Sequence, residues 1–138
     1  MFPPPLHAGP THPLNWFFGW SLLLAAFLTG IPLGLRFHLD EFMGGYASFR
    51  RRVVRLGHIA LAALGMVNLL FALSPWPIAG HWTTHAASAG FATGGIAMPT
   101  VCFLTGWRAG FRRLFFIPVV CLVAAVAFTL LGSLVGGT

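Results

Sequence analysis

Four stretches of this chain run for about twenty residues each without a formal charge, the length a helix needs to cross the hydrocarbon core of a bilayer. They extend from about Trp16 to Leu35, Leu56 to Ser74, Thr84 to Gly106 and Leu114 to Val135. A spanning segment must satisfy its backbone hydrogen bonds without water, which leaves helices and closed barrels. Barrel strands alternate apolar and polar residues with period two, and "LVAAVAFTLLGSLV" does not alternate. The expected fold is therefore all-α: a polytopic membrane protein whose four transmembrane helices form an antiparallel bundle.

Composition agrees. Of 138 residues, 57% are hydrophobic and only 7% are charged, against about 25% charged in an ordinary soluble domain. So little charge cannot clothe a water-facing surface, and the length suits a single domain. Residues 15–138 read as one four-helix unit behind a Pro-rich tail at 1–14, in which Pro3, Pro4, Pro5, Pro10 and Pro13 favour an extended polyproline-like path. The tail lacks the basic n-region of a secretory signal, so the first apolar run is read as a retained span.

Charge placement predicts orientation. There is no lysine, and the eight arginines are Arg36, Arg50, Arg51, Arg52, Arg55, Arg108, Arg112 and Arg113. With four spans, all of them fall in the loops between spans one and two and between spans three and four. Positive loops stay in the cytoplasm. The expected topology is thus multi-pass, with the N-terminus and C-terminus outside the cytoplasm. The basic pI follows from these topology signals, so no nucleic-acid surface is expected. Trp16, Trp20, Trp76 and Trp82 would mark the outer interface, and Trp107 and Tyr46 the inner one.

Small residues predict the packing. In "HAASAGFATGGIAMP", Ala86, Gly90 and Gly94 recur every fourth residue and line one face of span three. Such stripes let helices approach closely in lipid, so span three is expected to be the most buried. Pro99 should kink it, with Thr100 or Thr105 serving the freed groups. Asn68, the most polar mid-span side chain, reads as a helix-to-helix hydrogen-bonding group. Cys102 and Cys121 lie within spans and are expected to be unbridged, small buried hydrophobes.

Two histidine pairs are the candidate sites. On the inner side, His38 follows span one and His58 opens span two. If they face each other at one depth they could ligate a b-type haem, with Arg36, Arg51 and Arg55 near enough in sequence to pair with propionates. Gly65, two turns beyond His58, would open space beside the ring. A quinone or lipid-headgroup site is the related alternative, and an interfacial His58 hydrogen-bonded to a carbonyl or to Asp40 or Glu41 is the plain one. On the outer side, His81 and His85 stand at i and i+4, which on a helix suits one metal ion, copper or zinc, with His7 and His12 as further donors from the tail. The plain alternative is helix capping around Thr83 and Thr84.

Catalytic machinery is otherwise missing from the pattern. Asp40 and Glu41 are the only carboxylates, and neighbouring side chains on a helix point apart. No charged residue stands at mid-span, where transport sites usually place one. "GGYASFRRRVVRLGHIALAALGMVNLLFALSP" and "MPTVCFLTGWRAGFRRLFFIPV" together resemble a group of small uncharacterised four-helix integral membrane proteins of bacteria. The likeness covers most of the chain past residue 44 and implies topology, with no activity attached. The expected function is a small integral membrane subunit or accessory protein of a larger membrane assembly, such as an electron-transfer complex. Its partners would be the lipid bilayer and other membrane subunits or a second copy. A haem or quinone carrier at His38 and His58 and an outer metal-binding protein at His81 and His85 are the alternatives.

Overall fold

The structure, a computed structural model, describes residues 9–75 and 81–135, without the side chain of the last. Pro3, Pro4, Pro5, His7 and Trp76 lie outside the described residues, as do most of the tail and the centre of the loop between spans two and three. The fold is all-helical. The order is α1 (Pro13–Leu35), α2 (Phe49–Leu73), α3 (Trp82–Trp107), a 3-10 segment (Ala109–Phe115) and α4 (Phe116–Val135). All four α-helices are long and apolar enough to cross a membrane, so the chain is a multi-pass membrane protein. Large apolar side chains stand exposed along all four, from Phe17 and Phe27 on α1 to Leu130 and Leu134 on α4, as contact with lipid requires.

Helix ends depart from the apolar runs where local chemistry sets the boundary. α2 begins at Phe49 and not near Leu56, so Arg50, Arg51, Arg52 and Arg55 belong to its first two turns and not to a loop. Ser48 caps it, its hydroxyl accepting the Arg51 N–H. Charge ends a hydrocarbon-spanning run, but arginine is a good helix former, so the helix continues past the apolar boundary. α1 likewise starts at Pro13, a first-turn position whose missing N–H costs nothing. Pro118 sits in the first turn of α4 for the same reason.

The helices form a bundle in which α1 packs on α2, α2 on α3 and α3 on α4, with a lighter contact of α1 on α3. Among the described residues α1 and α4 do not touch, so the bundle is open between them. α3 is the most buried of the four and α4 the least. Glycines mark each seam. A Cβ at Gly19 would stand 2.9 Å from the Gly65 carbonyl oxygen, one at Gly57 2.9 Å from Cys102 Cβ, and one at Gly90 2.8 Å from Ala125 Cβ. The half-buried Leu69 side chain fills the space over Gly19. Pro99 lies buried inside α3, which runs on through it. Thr100 donates to the Ile96 carbonyl at 2.7 Å, whereas the buried Thr105 hydroxyl has no partner among the described residues. Cys102 and Cys121 are free thiols, the first buried and the second half-buried.

Candidate functional sites

Three clusters of polar side chains stand out, and helix packing assembles each of them. The first lies where the arginines gather. Gly106, at the end of α3, packs on Val54 and near the Arg50 carbonyl of α2, which brings the arginine-bearing segments to one end. Arg51 is only 2% exposed. Its guanidinium donates to the Phe37 and Leu39 carbonyls, just past the end of α1. It lies 4.8 Å from the Tyr46 ring centroid and 5.3 Å from that of Phe37. A buried cation is tolerated when hydrogen bonds and aromatic faces replace its water. Arg55 stands over Tyr46 and Phe37, and Arg36 over Phe42. The chain turns back before α2 through Met43, Gly44 and Gly45, all at positive φ, with the Ser48 hydroxyl donating to the Met43 carbonyl. Arg51 therefore ties this turn to α2. The exposed carboxylates Asp40 and Glu41 lie in the same turn.

The second cluster is a groove between α1 and α2. His58 is half-buried, and its Nδ1 lies 3.1 Å from the Thr29 hydroxyl. Beside it a cavity of about 460 Å³ is lined by Leu23, Ala26, Phe27, Gly30, Ile31, Ala62 and His58 itself. Gly30 leaves the space: a Cβ there would stand 3.1 Å from His58 Cε1. The glycine singled out in the sequence, Gly65, does something else. Its open face is filled by α1, with the Gly19 carbonyl oxygen 3.0 Å and Leu23 Cγ 3.1 Å from where a Cβ would sit.

His38 does not line the His58 groove. His38 is exposed in the turn after α1. The carbonyls on either side of it, at Phe37 and Leu39, are those held by Arg51. Arg51 precedes His58 by two turns of α2, about 10 Å along the axis. Two axial ligands of one haem iron need rings facing each other at one level, and His38 is not among the residues around the His58 groove. The donors of Arg51 are also already directed at backbone carbonyls.

The third cluster lies at the opposite, arginine-free end and holds α1, α2 and α3 together. Asn15 and Asn68 are fully buried. Asn15 Nδ2 donates to Asn68 Oδ1 at 2.8 Å and to the Ser88 carbonyl at 3.3 Å, while the Ser88 hydroxyl donates to Asn15 Oδ1. Asn68 Nδ2 donates to the Leu64 and Phe91 carbonyls. Both amides thus use their two N–H groups and their oxygen. Gly95 makes room, since a Cβ there would lie 3.2 Å from Asn68 Nδ2. Next to this network, the Thr11 hydroxyl and the His12 N–H serve the Ala72 carbonyl at the end of α2. The His12 ring is buried and stacks on Phe71 at 4.6 Å, with Nε2 unpartnered among the described residues. Burial, and secondly the nearby His85, holds the His12 pKa below the ordinary histidine value.

His81 and His85 do not share a helix face. His81 is the N-cap of α3 with extended backbone, and its Nδ1 lies 2.8 Å from the Thr83 hydroxyl. His85 instead lines a cavity of about 270 Å³ with His12, Thr11 and Ser88. Among the described residues no three His, Cys, Asp or Glu side chains come together as a metal would need; His7, the further donor expected from the tail, lies outside them. On α3, Gly90 packs on Ala125 and the Cys121 carbonyl and Gly94 on Leu122, while Ala86 is half-buried.

Sequence reading had not singled out Asn15, Ser88, Thr29 or Gly30. An asparagine inside an apolar run is a signal in its own right, and the Asn15 and Asn68 pair could have been suspected from it. Thr29 and Gly30 gave none, because only the rotation of α1 sets them beside His58. No protein-family model, curated protein or solved structure matches the chain.

Proposed function

We propose that the chain is a small non-catalytic subunit or accessory protein of a larger assembly in a bacterial cytoplasmic membrane. In this reading the helices run antiparallel and both termini face outward. Contact order supports the first point: His12 meets Ala72, Gly19 meets Gly65, and Gly30 meets His58. The gathering of arginines at one end supports the second.

One observation carries the accessory role. α1 and α4 flank the bundle without meeting, and each presents a long apolar face to its surroundings. Meanwhile the buried polar side chains other than His12 Nε2 and Thr105 are engaged in holding helices or turns together. A protein of this build acts through lateral contact. We place the assembly among electron-transfer complexes, because the His58 groove offers a polar atom to the lipid phase.

Extraction of the native protein in lipid discs, followed by native mass spectrometry, tests the role. A stoichiometric complex with another membrane protein, or with a second copy, is expected. A chain found alone at one copy per disc would overturn it. Orientation is tested with a membrane-impermeant thiol reagent on intact cells, in a background lacking Cys102 and Cys121. Gly9→Cys should react and Ala47→Cys should be protected, and the reverse pattern would invert the topology.

A further inference from the structure

The hydrogen bonds around His58 favour one arrangement of the ring's protons. The Thr29 hydroxyl has one proton and directs it to the Ala25 carbonyl at 2.8 Å, the usual back-bond of a helical threonine. With the proton so placed, the Thr29 oxygen is the acceptor for a proton on His58 Nδ1, 3.1 Å away. In a neutral imidazole, a proton on Nδ1 leaves Nε2 as a bare acceptor. Nε2 has no partner among the described residues and lies on the ring edge that faces Gly30 and the groove.

The surroundings narrow what can meet that acceptor. No other polar side chain lines the groove. Phe27 and Ile31 on its rim are strongly exposed on the lipid side, so an occupant enters from the membrane. Arg55 precedes His58 by one turn of α2, which sets the ring just inside the charged zone. An occupant must then be membrane-soluble, uncharged at its polar end, and a hydrogen-bond donor. Phospholipid donors sit on charged headgroups that resist transfer to this depth. A hydroquinone is an uncharged flat ring with hydroxyl donors on an apolar tail. Its oxidised form carries only carbonyl acceptors, which oppose the Nε2 lone pair.

We propose that the groove beside His58 binds the reduced, hydroquinone form of a membrane-soluble quinone, a ring hydroxyl donating to Nε2. The site discriminates by redox state: the quinol binds and the quinone does not compete. This names a ligand for the electron-transfer reading above and rests on it for its biological setting. Binding is measured on the isolated chain, so it fails or succeeds independently of whether a protein partner is found.

The test uses the full chain in quinone-free lipid discs. A decyl-substituted benzohydroquinone, kept reduced under anaerobic conditions, is titrated beside its oxidised counterpart, with binding followed by the ¹⁵N resonance of His58 Nε2. The reduced probe should bind at least about tenfold more tightly, the worth of one buried hydrogen bond gained instead of a repulsion. It should shift the Nε2 resonance. His58→Leu and Gly30→Leu should abolish binding with helix content retained. Thr29→Val, which frees the ring to take the other tautomer, should shrink the redox preference. Equal affinity for both forms, an unmoved Nε2 resonance, undiminished binding by His58→Leu, or a phospholipid in the groove that the probe does not displace would each overturn the proposal. The resonance and the redox preference are read on the unaltered chain, so a misfolded variant does not remove the test.

Discussion

At the arginine-bearing end, one buried guanidinium reaches back to two carbonyls beyond α1 and fixes the turn into α2. At the other end, two asparagines and a serine join α1, α2 and α3. The first is a charged group on a long side chain that finds its acceptors under an aromatic cover. The second is neutral, short and fully buried. The difference is one of chemistry: a buried charge needs carbonyls and aromatic faces to replace its water, whereas short neutral amides need only have each donor and acceptor matched. The amide network therefore has the stricter geometry, and the arginine the more forgiving one.

The seam between α3 and α4 has neither device and serves as the reference. Gly90→Leu should have the largest effect, about 3 kcal/mol in denaturant titrations in detergent, because the Cys121 carbonyl lies in the way and backbone cannot yield. Leu70→Ala, at an exposed site, should cost far less, and equal tolerance at both would remove the steric account. Asn68→Leu comes next, at about 2 kcal/mol, since it leaves one buried Asn15 N–H without its acceptor and removes the bond to the Phe91 carbonyl. The double change Asn15→Leu with Asn68→Leu should cost clearly less than the sum of the two singles, whereas additive costs would show that the amides do not act as a unit.

Arg51→Gln should cost less, about 1 kcal/mol, and should show locally as faster amide exchange over residues 37–46. An effect larger than that of Asn68→Leu would reverse the ranking of the two ends. The smallest effect belongs to His12. Its pKa is lowered in the folded chain, so the unfolded chain binds the extra proton first. Stability should be unaffected by this group above its ordinary value near 6.5 and should decline as pH falls from there toward the depressed one. His12→Phe should flatten that slope while keeping the stack on Phe71.

Much of the fold was legible in the residues, and the candidate sites were legible only in part. Asn68 was recognised as a helix-joining group, and Gly90 and Gly94 as residues of one helix face. His58 was recognised as a group needing an explanation, but its neighbours were not. Gly65 has the right spacing to open room beside the ring, yet α1 fills that room, and Gly30 on the other helix opens it instead. His81 and His85 have metal-ligand spacing only if both are helical, and the cap geometry takes His81 out of the helix.

By itself the sequence determined the number of spans, their approximate limits and the segregation of arginine between them. These depend on sums over about twenty residues, and the cost of charge in hydrocarbon dominates such sums. Tertiary structure decided how each helix is turned about its axis, and with it which residues meet: His58 with Thr29 and Gly30, Asn15 with Asn68, Arg51 with the turn after α1. The reason is the solvent. In water an amphipathic stripe tells a helix which face to bury, but lipid is as apolar as leucine. Rotation is then set by pairs of glycines and a few hydrogen bonds across helices, and no single helix contains that information.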